Sequence, residues 1–148
     1  MIKNKYLLFS LPFMIIGVVM IILGARWMLV SEPWMLDQVA NEDRLGMPLN
    51  ELFKPEINKT LPDYLKQIYR FFGLWVVVIG LFITSFSTPN FSKDIVNRIK
   101  LLICIGTMIF IGTVMGYIWI PNSPFIYLSW GLILFYCISL YTHLKIGK

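Results

Sequence analysis

Four long apolar runs without charged residues dominate the hydrophobic pattern of the chain. They cover residues 6–25, 71–88, 101–120 and 125–142, and they are 20, 18, 20 and 18 residues long. An α-helix rises about 1.5 Å per residue, so about 20 residues cross the roughly 30 Å hydrocarbon core of a bilayer. The apolar positions do not alternate with period two, which argues against β-strands. The pattern therefore predicts an all-α membrane protein.

The predicted architecture is a bundle of four transmembrane helices that forms a single domain over residues 1–148. The expected spans are about 6–26, 64–87, 99–120 and 125–143. The first run is longer than the apolar region of about 7–15 residues in a cleaved signal peptide. We therefore interpret it as a retained span.

The segment between the first two spans, residues 27–63, is predicted to be a partly helical extracytoplasmic loop. Ser31 is expected to cap a helix that has Pro33 in its first turn. The apolar side of this helix would carry Trp34, Met35, Leu36 and Val39, and the wet side Asp37, Asn41, Glu42 and Asp43. Thr60 is expected to cap the second span, with Asp63 at the acidic position of a capping box.

The distribution of charge predicts the orientation of the chain. Residues 26–70 hold six basic and seven acidic residues. On the other side of the predicted spans, Asp94 is opposed by seven basic residues, Lys3, Lys5, Lys93, Arg98, Lys100, Lys145 and Lys148. Basic residues in short flanks stay in the cytoplasm. The expected localisation is therefore the cell membrane, multi-pass, with both termini cytoplasmic.

The apolar runs contain no Asp, Glu, Lys, Arg or His. Proton-coupled transporters need ionisable groups at membrane depth, and the small four-span multidrug exporters rely on an embedded Glu. With His143 as the single histidine, neither a haem with two histidine ligands nor an ordinary zinc site is expected. We predict no cofactor and no metal, and we expect His143 to be a solvated interfacial residue. The basic charges flank apolar runs, so nucleic acid is not an expected partner.

The two cysteines are predicted to lie at a similar depth in neighbouring antiparallel spans. Cys104 follows the start of the third run, and Cys137 precedes the end of the fourth. A redox pair was weighed, but it lacks Cys-x-x-Cys spacing and would face the reducing side of the membrane. We expect both thiols to behave as small buried hydrophobes.

Small residues recur at spacings that favour close helix packing in lipid. Gly17 and Gly24 are seven residues apart, as are Gly73 and Gly80. Gly112 and Gly116 form a Gly-x-x-x-Gly pattern, which would face either a neighbouring span or a second copy of the protein. Packing within one chain is the preferred interpretation of this pattern.

Arg26 ends the first apolar run at the predicted outer boundary. Its long side chain is expected to reach the headgroups as an anchor. The alternative is an ion pair with Glu32 or Asp63 that pins the loop over the mouth of a ligand cavity. Tyr64 and Tyr69 would complete the rim. The candidate ligand-binding residues are therefore Arg26, Glu32, Asp63, Tyr64 and Tyr69.

The stretches "IIGVVMIILGARWML" and "YRFFGLWVVVIGLFI" give the chain a resemblance to the DoxX-like group of small four-span bacterial membrane proteins. The resemblance covers roughly residues 13–86. It implies a four-helix membrane bundle, and some members of the group are tied to quinone-linked or redox complexes. The long loop between the first two spans departs from the pattern of the group. The resemblance does not allow any functional residue of the group to be transferred to this chain.

The expected function is that of a non-enzymatic integral membrane protein, either an accessory subunit or a small homo-oligomer, with the bilayer and a membrane protein as partners. The alternative is a binder or carrier of a lipid-like or quinone-like apolar ligand near the outer face, because an apolar ligand needs no ionisable site. A third interpretation, an enzyme that uses the thiols or Tyr64 with Asp63, stays open at this point.

Overall fold

A computed structural model describes the backbone of residues 2–146 and the side chains of residues 5–146. This part of the chain is all-α and contains no strand, so the all-α prediction is confirmed for it. The side chains of Lys3 and Lys148, two of the basic residues behind the predicted orientation, lie outside this description. The six α-helices are α1 (Ile2–Leu29), α2 (Gln38–Leu45), α3 (Leu49–Leu52), α4 (Leu61–Phe86), α5 (Ile95–Trp119) and α6 (Phe125–Ile146).

Four of these helices, α1, α4, α5 and α6, are long and apolar enough to cross a membrane. They run alternately up and down. Both described ends of the chain and the 87–94 connection therefore lie at one end of the bundle, which we call the terminal end. The segment 30–60, with α2 and α3, covers the opposite end together with the short turn 121–124. We call segment 30–60 the cap and that end the cap end.

Helices α1 and α4 cross backbone to backbone at two pairs of glycines. A Cβ atom on Gly24 would lie 2.6 Å from the carbonyl oxygen of Gly73, and one on Gly17 would lie 2.8 Å from that of Gly80. Both distances are shorter than van der Waals contact, so only glycine allows this approach. Because the glycines on each helix are seven residues apart, one antiparallel register joins both pairs.

The same register extends one heptad further toward the terminal end, to Ser10 and Ser87. Both serines are fully buried. Small residues therefore line the whole α1–α4 contact, and the bundle is built around this pair.

The core lies at the terminal end of the bundle. Phe9, Phe13 and Ile16 on α1 are fully buried there, against Ile83 of α4 and a row of aliphatic residues on α5. Helix α6 packs on α1 and on α5. Helix α5 approaches α6 far more closely than it approaches α4, and this leaves an open flank between α4 and α5.

The cap departs from the single amphipathic helix that the sequence predicts. Its first part is a 3-10 helix, Pro33–Asp37, and α2 begins only at Gln38. A 3-10 helix turns about 20° more per residue than an α-helix, so the predicted apolar and polar faces go out of phase. As a result Asp37 is buried, whereas Met35 and Val39 are exposed.

The predicted cap at Ser31 is wrong, and Thr60 occupies the predicted N-cap position of α4 without the predicted side-chain bond. The 3-10 helix starts after Glu32 rather than Ser31 and has no side-chain capping bond. Thr60 precedes α4 but its side chain makes no capping bond either. The Thr60 backbone is in the right-handed helical region (φ −91°, ψ −7°), whereas a capping residue typically takes the extended conformation that aims its oxygen at the first amides of the helix.

Candidate functional site

A hydrogen-bonded cluster joins the cap to α4. The Asn41 side chain donates from Nδ2 to the carbonyl oxygen of Trp34 (2.8 Å), and its Oδ1 accepts from the Tyr69 hydroxyl (2.9 Å). Trp34 is buried and packs edge-on against Phe53, with 5.7 Å between ring centroids. Asn41 therefore bridges two turns of the cap to the first half of α4 and holds the cap against the bundle.

Asp37 lies beside this cluster and is 8% exposed. Its Oδ1 atom has no hydrogen-bond partner among the described residues. Burial raises the pKa of its carboxyl above the ordinary 3.8, and the adjacent Ser123 side chain acts less strongly in the opposite direction. Asp37 is close enough to Tyr69 to act on it electrostatically. The cap end thus contains a buried carboxyl group that holds its proton more tightly than a carboxyl group in water does.

Trp27 provides a second unpartnered polar atom at the cap end of α1. Its side chain is 8% exposed, between the rings of Phe72 (5.0 Å between centroids) and Phe125 (4.8 Å). Its indole Nε1 makes no hydrogen bond with the described residues. The Trp27 ring therefore packs α1 against both α4 and α6 through apolar contacts alone.

The five residues proposed from the sequence as a ligand rim are only partly brought together. Tyr69 belongs to the Asn41 cluster. The other four, Arg26, Glu32, Asp63 and Tyr64, are all exposed and share no hydrogen bond or ion pair with one another. Within the described side chains, ion pairs occur at Lys54–Glu51 and Lys59–Glu56, both on the surface of the cap. The alternative considered for Arg26, an ion pair with Glu32 or Asp63, is therefore not formed among the described side chains.

A second polar cluster, at the terminal end, is centred on Arg98 of α5. Arg98 is 4% exposed. Its Nη1 donates to the carbonyl oxygens of Ser92 (2.8 Å) and Lys93 (3.0 Å), and its Nε donates to Nδ1 of His143 (3.2 Å). Its guanidinium carbon lies 5.6 Å from the centre of the Tyr6 ring. One buried cation thereby joins α1, α5, α6 and the 87–94 connection.

Serine hydroxyl groups extend this cluster into the bundle. The Ser10 and Ser92 hydroxyls lie 2.8 Å apart, and the Ser139 hydroxyl donates to the carbonyl oxygen of Phe9 (2.9 Å). His143 also packs near the Phe9 ring, 6.2 Å between centroids. The expectation of a solvated His143 is therefore wrong, because the residue is half-buried and accepts a hydrogen bond from Arg98.

The described residues form grooves on two sides of the bundle and on the cap itself. The first, of about 280 Å³, lies between α4 and α5 toward the terminal end. The second, of about 300 Å³, lies between α5 and α6. The third, of about 330 Å³, is on the cap itself, beside Met35 and Pro48. The apolar concave surfaces thus occur on the sides of the bundle.

Both cysteines are free thiols on the outer surface of the bundle. The expectation that they pack as small buried hydrophobes is wrong. Cys104 lines the α4–α5 groove, whereas Cys137 lies on an exposed face of α6. In the described residues no group of three or more His, Cys, Asp or Glu side chains is arranged to hold a metal ion.

The glycines of α5 and α6 differ from those of α1 and α4. A Cβ atom on Gly112 of α5 or on Gly131 of α6 would meet nothing within 4 Å, while one on Gly116 would meet Ile126 at 3.0 Å. Gly112 has no intramolecular neighbour that requires a glycine. Gly106, in contrast, is pressed against the Tyr136 ring.

Comparison of the chain with family models, curated proteins and solved structures finds no match.

Sequence reasoning missed Asp37 and Arg98 as buried residues, and it missed half-buried Asn41 as the link between the cap and α4. Asp37 and Asn41 lie on the predicted wet side of a helix, and only the 3-10 turn moves them inward. In the sequence, Arg98 is one of the basic residues that predict the orientation of the chain, because it lies among the polar residues of the 93–100 segment.

Proposed function

We propose that the protein is a non-enzymatic integral membrane protein that acts by lateral association in the bilayer, either as an accessory subunit or as a small homo-oligomer. Helix α5 is the proposed contact helix. The observation that carries the proposal is Gly112, a glycine that no neighbour within the chain requires.

The position of α5 in the bundle supports this assignment. Its backbone approaches α6 closely and α4 hardly at all, so its α4-facing side is open. In lipid, where burial of apolar surface provides little driving force between helices, small residues promote association because they let two backbones approach. Gly112 is an exposed position of α5, one turn before Gly116.

The proposal is tested by Gly112→Leu, with Gly131→Leu as the matched control. Neither substitution meets an atom of the same chain at its Cβ position, so both variants are expected to fold as the parent does. We expect native mass spectrometry of gently extracted protein to show an oligomer or a co-purifying partner for the parent and for Gly131→Leu, and its loss for Gly112→Leu. An unchanged assembly in Gly112→Leu, or a parent that is monomeric and without a partner, would contradict the proposal.

We also propose that both termini are cytoplasmic and that the cap is extracytoplasmic. The excess of basic residues at the terminal end supports this orientation. The resemblance to the DoxX-like group remains a prediction.

The second candidate function is the binding of a lipid-like or quinone-like apolar ligand. The apolar grooves beside α5 favour it. They differ from the site expected from the sequence, since they lie on the sides of the bundle rather than near the outer face.

A further inference from the structure

The α4–α5 groove has an aromatic wall and an aliphatic floor. Phe82 and Phe86 of α4 form one side, together with Phe91 of the connection. Phe86 and Phe91 meet edge to face, with 5.4 Å between ring centroids. The floor is formed by Ile83 and Leu101, which belong to the buried core. The floor is therefore fixed by packing that the fold itself needs.

The groove opens sideways, away from the bundle axis. Phe82 is 60% exposed and Phe86 is 45% exposed. If α4 and α5 cross the bilayer as proposed, this opening faces the acyl chains of the surrounding lipid. A molecule can then enter the groove from the membrane without crossing water.

One charge lies at the rim of the groove. Lys100 is the charged member of its lining, and Cys104 lies one helical turn deeper on the same side of α5. Lys100 is exposed and makes no ion pair with the described side chains. Asp94, the acidic residue of the 87–94 connection, is already bonded to the backbone amide of Val96 at the start of α5 (2.9 Å). The groove thus combines an apolar trough with an unpaired cation at one end.

This arrangement fits a lipid with a negative headgroup better than it fits a quinone. A quinone has carbonyl oxygens on opposite sides of its ring, each of which accepts hydrogen bonds, whereas the strong donor among the lining residues of this groove is the Lys100 ammonium at one end. Its volume of about 280 Å³ is at the lower limit of the roughly 300–1,000 Å³ of small-molecule sites, which suits an acyl chain. A zwitterionic lipid would gain less from Lys100, because its own ammonium group opposes the lysine.

We propose that the α4–α5 groove binds one acyl chain of an anionic phospholipid whose headgroup pairs with Lys100. The proposal rests on the second candidate function, the binding of an apolar ligand. The acyl chain lies over Cys104 and against the stacked rings of Phe82 and Phe86, and the phosphate lies at the terminal end of α5. A lysine near a membrane surface changes the affinity for an anionic lipid about fivefold.

The test is native mass spectrometry of the full-length protein from nanodiscs that contain phosphatidylglycerol and phosphatidylcholine with identical acyl chains. We expect one phosphatidylglycerol to be retained in preference to phosphatidylcholine. Lys100→Gln should lower this preference about fivefold, whereas Lys145→Gln, a change of the same charge on α6 outside the groove, should not. Equal retention of the two lipids, or equal effects of the two lysine variants, overturns the proposal.

A second pair of variants tests the contribution of the apolar groove to lipid binding separately from that of the headgroup contact. Cys104→Trp fills the groove and should abolish retention of the lipid, whereas Cys137→Trp on the exposed face of α6 should leave it unchanged. Circular dichroism and size-exclusion chromatography show whether both variants fold.

The remaining outcomes distinguish this proposal from the candidate function behind it. If phosphatidylcholine or an added quinone is retained and Cys104→Trp removes it, the anionic-lipid proposal is wrong and apolar-ligand binding stands. If nothing is retained and Cys104→Trp changes nothing, both are wrong.

Discussion

At the residue scale, Asp37 and Arg98 are buried polar side chains at opposite ends of the bundle. Arg98 gives hydrogen bonds to two carbonyl oxygens and to His143, so its charge is compensated by fixed dipoles. Asp37 keeps one oxygen without a partner. A buried acceptor left unpaired costs about 1–3 kcal/mol. Arg98 therefore holds its end of the bundle together, while Asp37 weakens the attachment of the cap whenever it is charged.

The first prediction concerns Asp37 and pH. Because burial raises the pKa of Asp37 above 3.8, the folded chain binds this proton more tightly than the unfolded chain does. Stability should then fall as the pH rises from the unfolded pKa to the raised folded pKa, and stay lowered above it. Asp37→Asn removes this titration, so the variant should gain stability relative to the parent as the pH rises through that window.

Thermal unfolding followed by circular dichroism over a series of pH values measures this difference. Asp63→Asn, a change of the same kind at an exposed position on α4, is the control for the loss of a carboxylate. A constant difference between Asp37→Asn and the parent at every pH would contradict the prediction.

At the element scale, the contact of α1 with α4 depends on glycine more than any other contact does. Four glycine positions each place a hypothetical Cβ atom within 3.0 Å of the opposite backbone. A methyl group at any of them must push the two helices apart. By comparison, α5 packs against its neighbours through larger side chains, and a Cβ atom on Gly112 would contact no other residue.

The second prediction is that Gly17→Ala destabilises the fold and Gly131→Ala does not. Overpacking typically costs about 1–3 kcal/mol, and Gly17 meets backbone atoms that cannot move aside. The same exchange at Gly131 meets nothing within 4 Å and should gain up to about 1 kcal/mol from helix propensity. Unfolding in a graded denaturant series compares the two variants, and equal stabilities would show that the α1–α4 contact is looser than described.

At the scale of the whole molecule, the polar segments divide between two ends. The cap and the 121–124 turn lie at one end, where the Asn122 side chain donates to Asp43 across them (2.9 Å). The Arg98 cluster lies at the other end of the bundle, the terminal end. The apolar sides between the two ends are largely exposed, as expected of a bundle surrounded by lipid.

The third prediction tests the orientation. In a Cys104→Ser, Cys137→Ser background, Ile57→Cys places a thiol on the cap at a residue that is 91% exposed. An impermeant maleimide should label it in intact cells. Asn90→Cys, at the exposed terminal end, should be labelled only after the membrane is opened. The reverse pattern would place the termini outside.

The sequence by itself determined the all-α class and the four long apolar helices. Both follow from run length, because helix rise and bilayer thickness set how many apolar residues a span needs. The seven-residue spacing of Gly17 and Gly24, and of Gly73 and Gly80, also indicated close packing from the chain alone. Such local properties depend on neighbours in sequence and need no knowledge of the fold.

The tertiary structure decided which polar groups are buried and which glycines are in contact. Gly24 and Gly112 look alike in the sequence, yet one presses on a helix backbone and the other has no neighbour. Asp37 turns inward because a 3-10 segment shifts the helical phase. Arg98 has two local partners, the carbonyl oxygens of Ser92 and Lys93, but its third partner, His143, is 45 residues away and reaches it only in the folded bundle. Burial is a property of the assembled helices, since each face becomes inner or outer only when its neighbour packs against it.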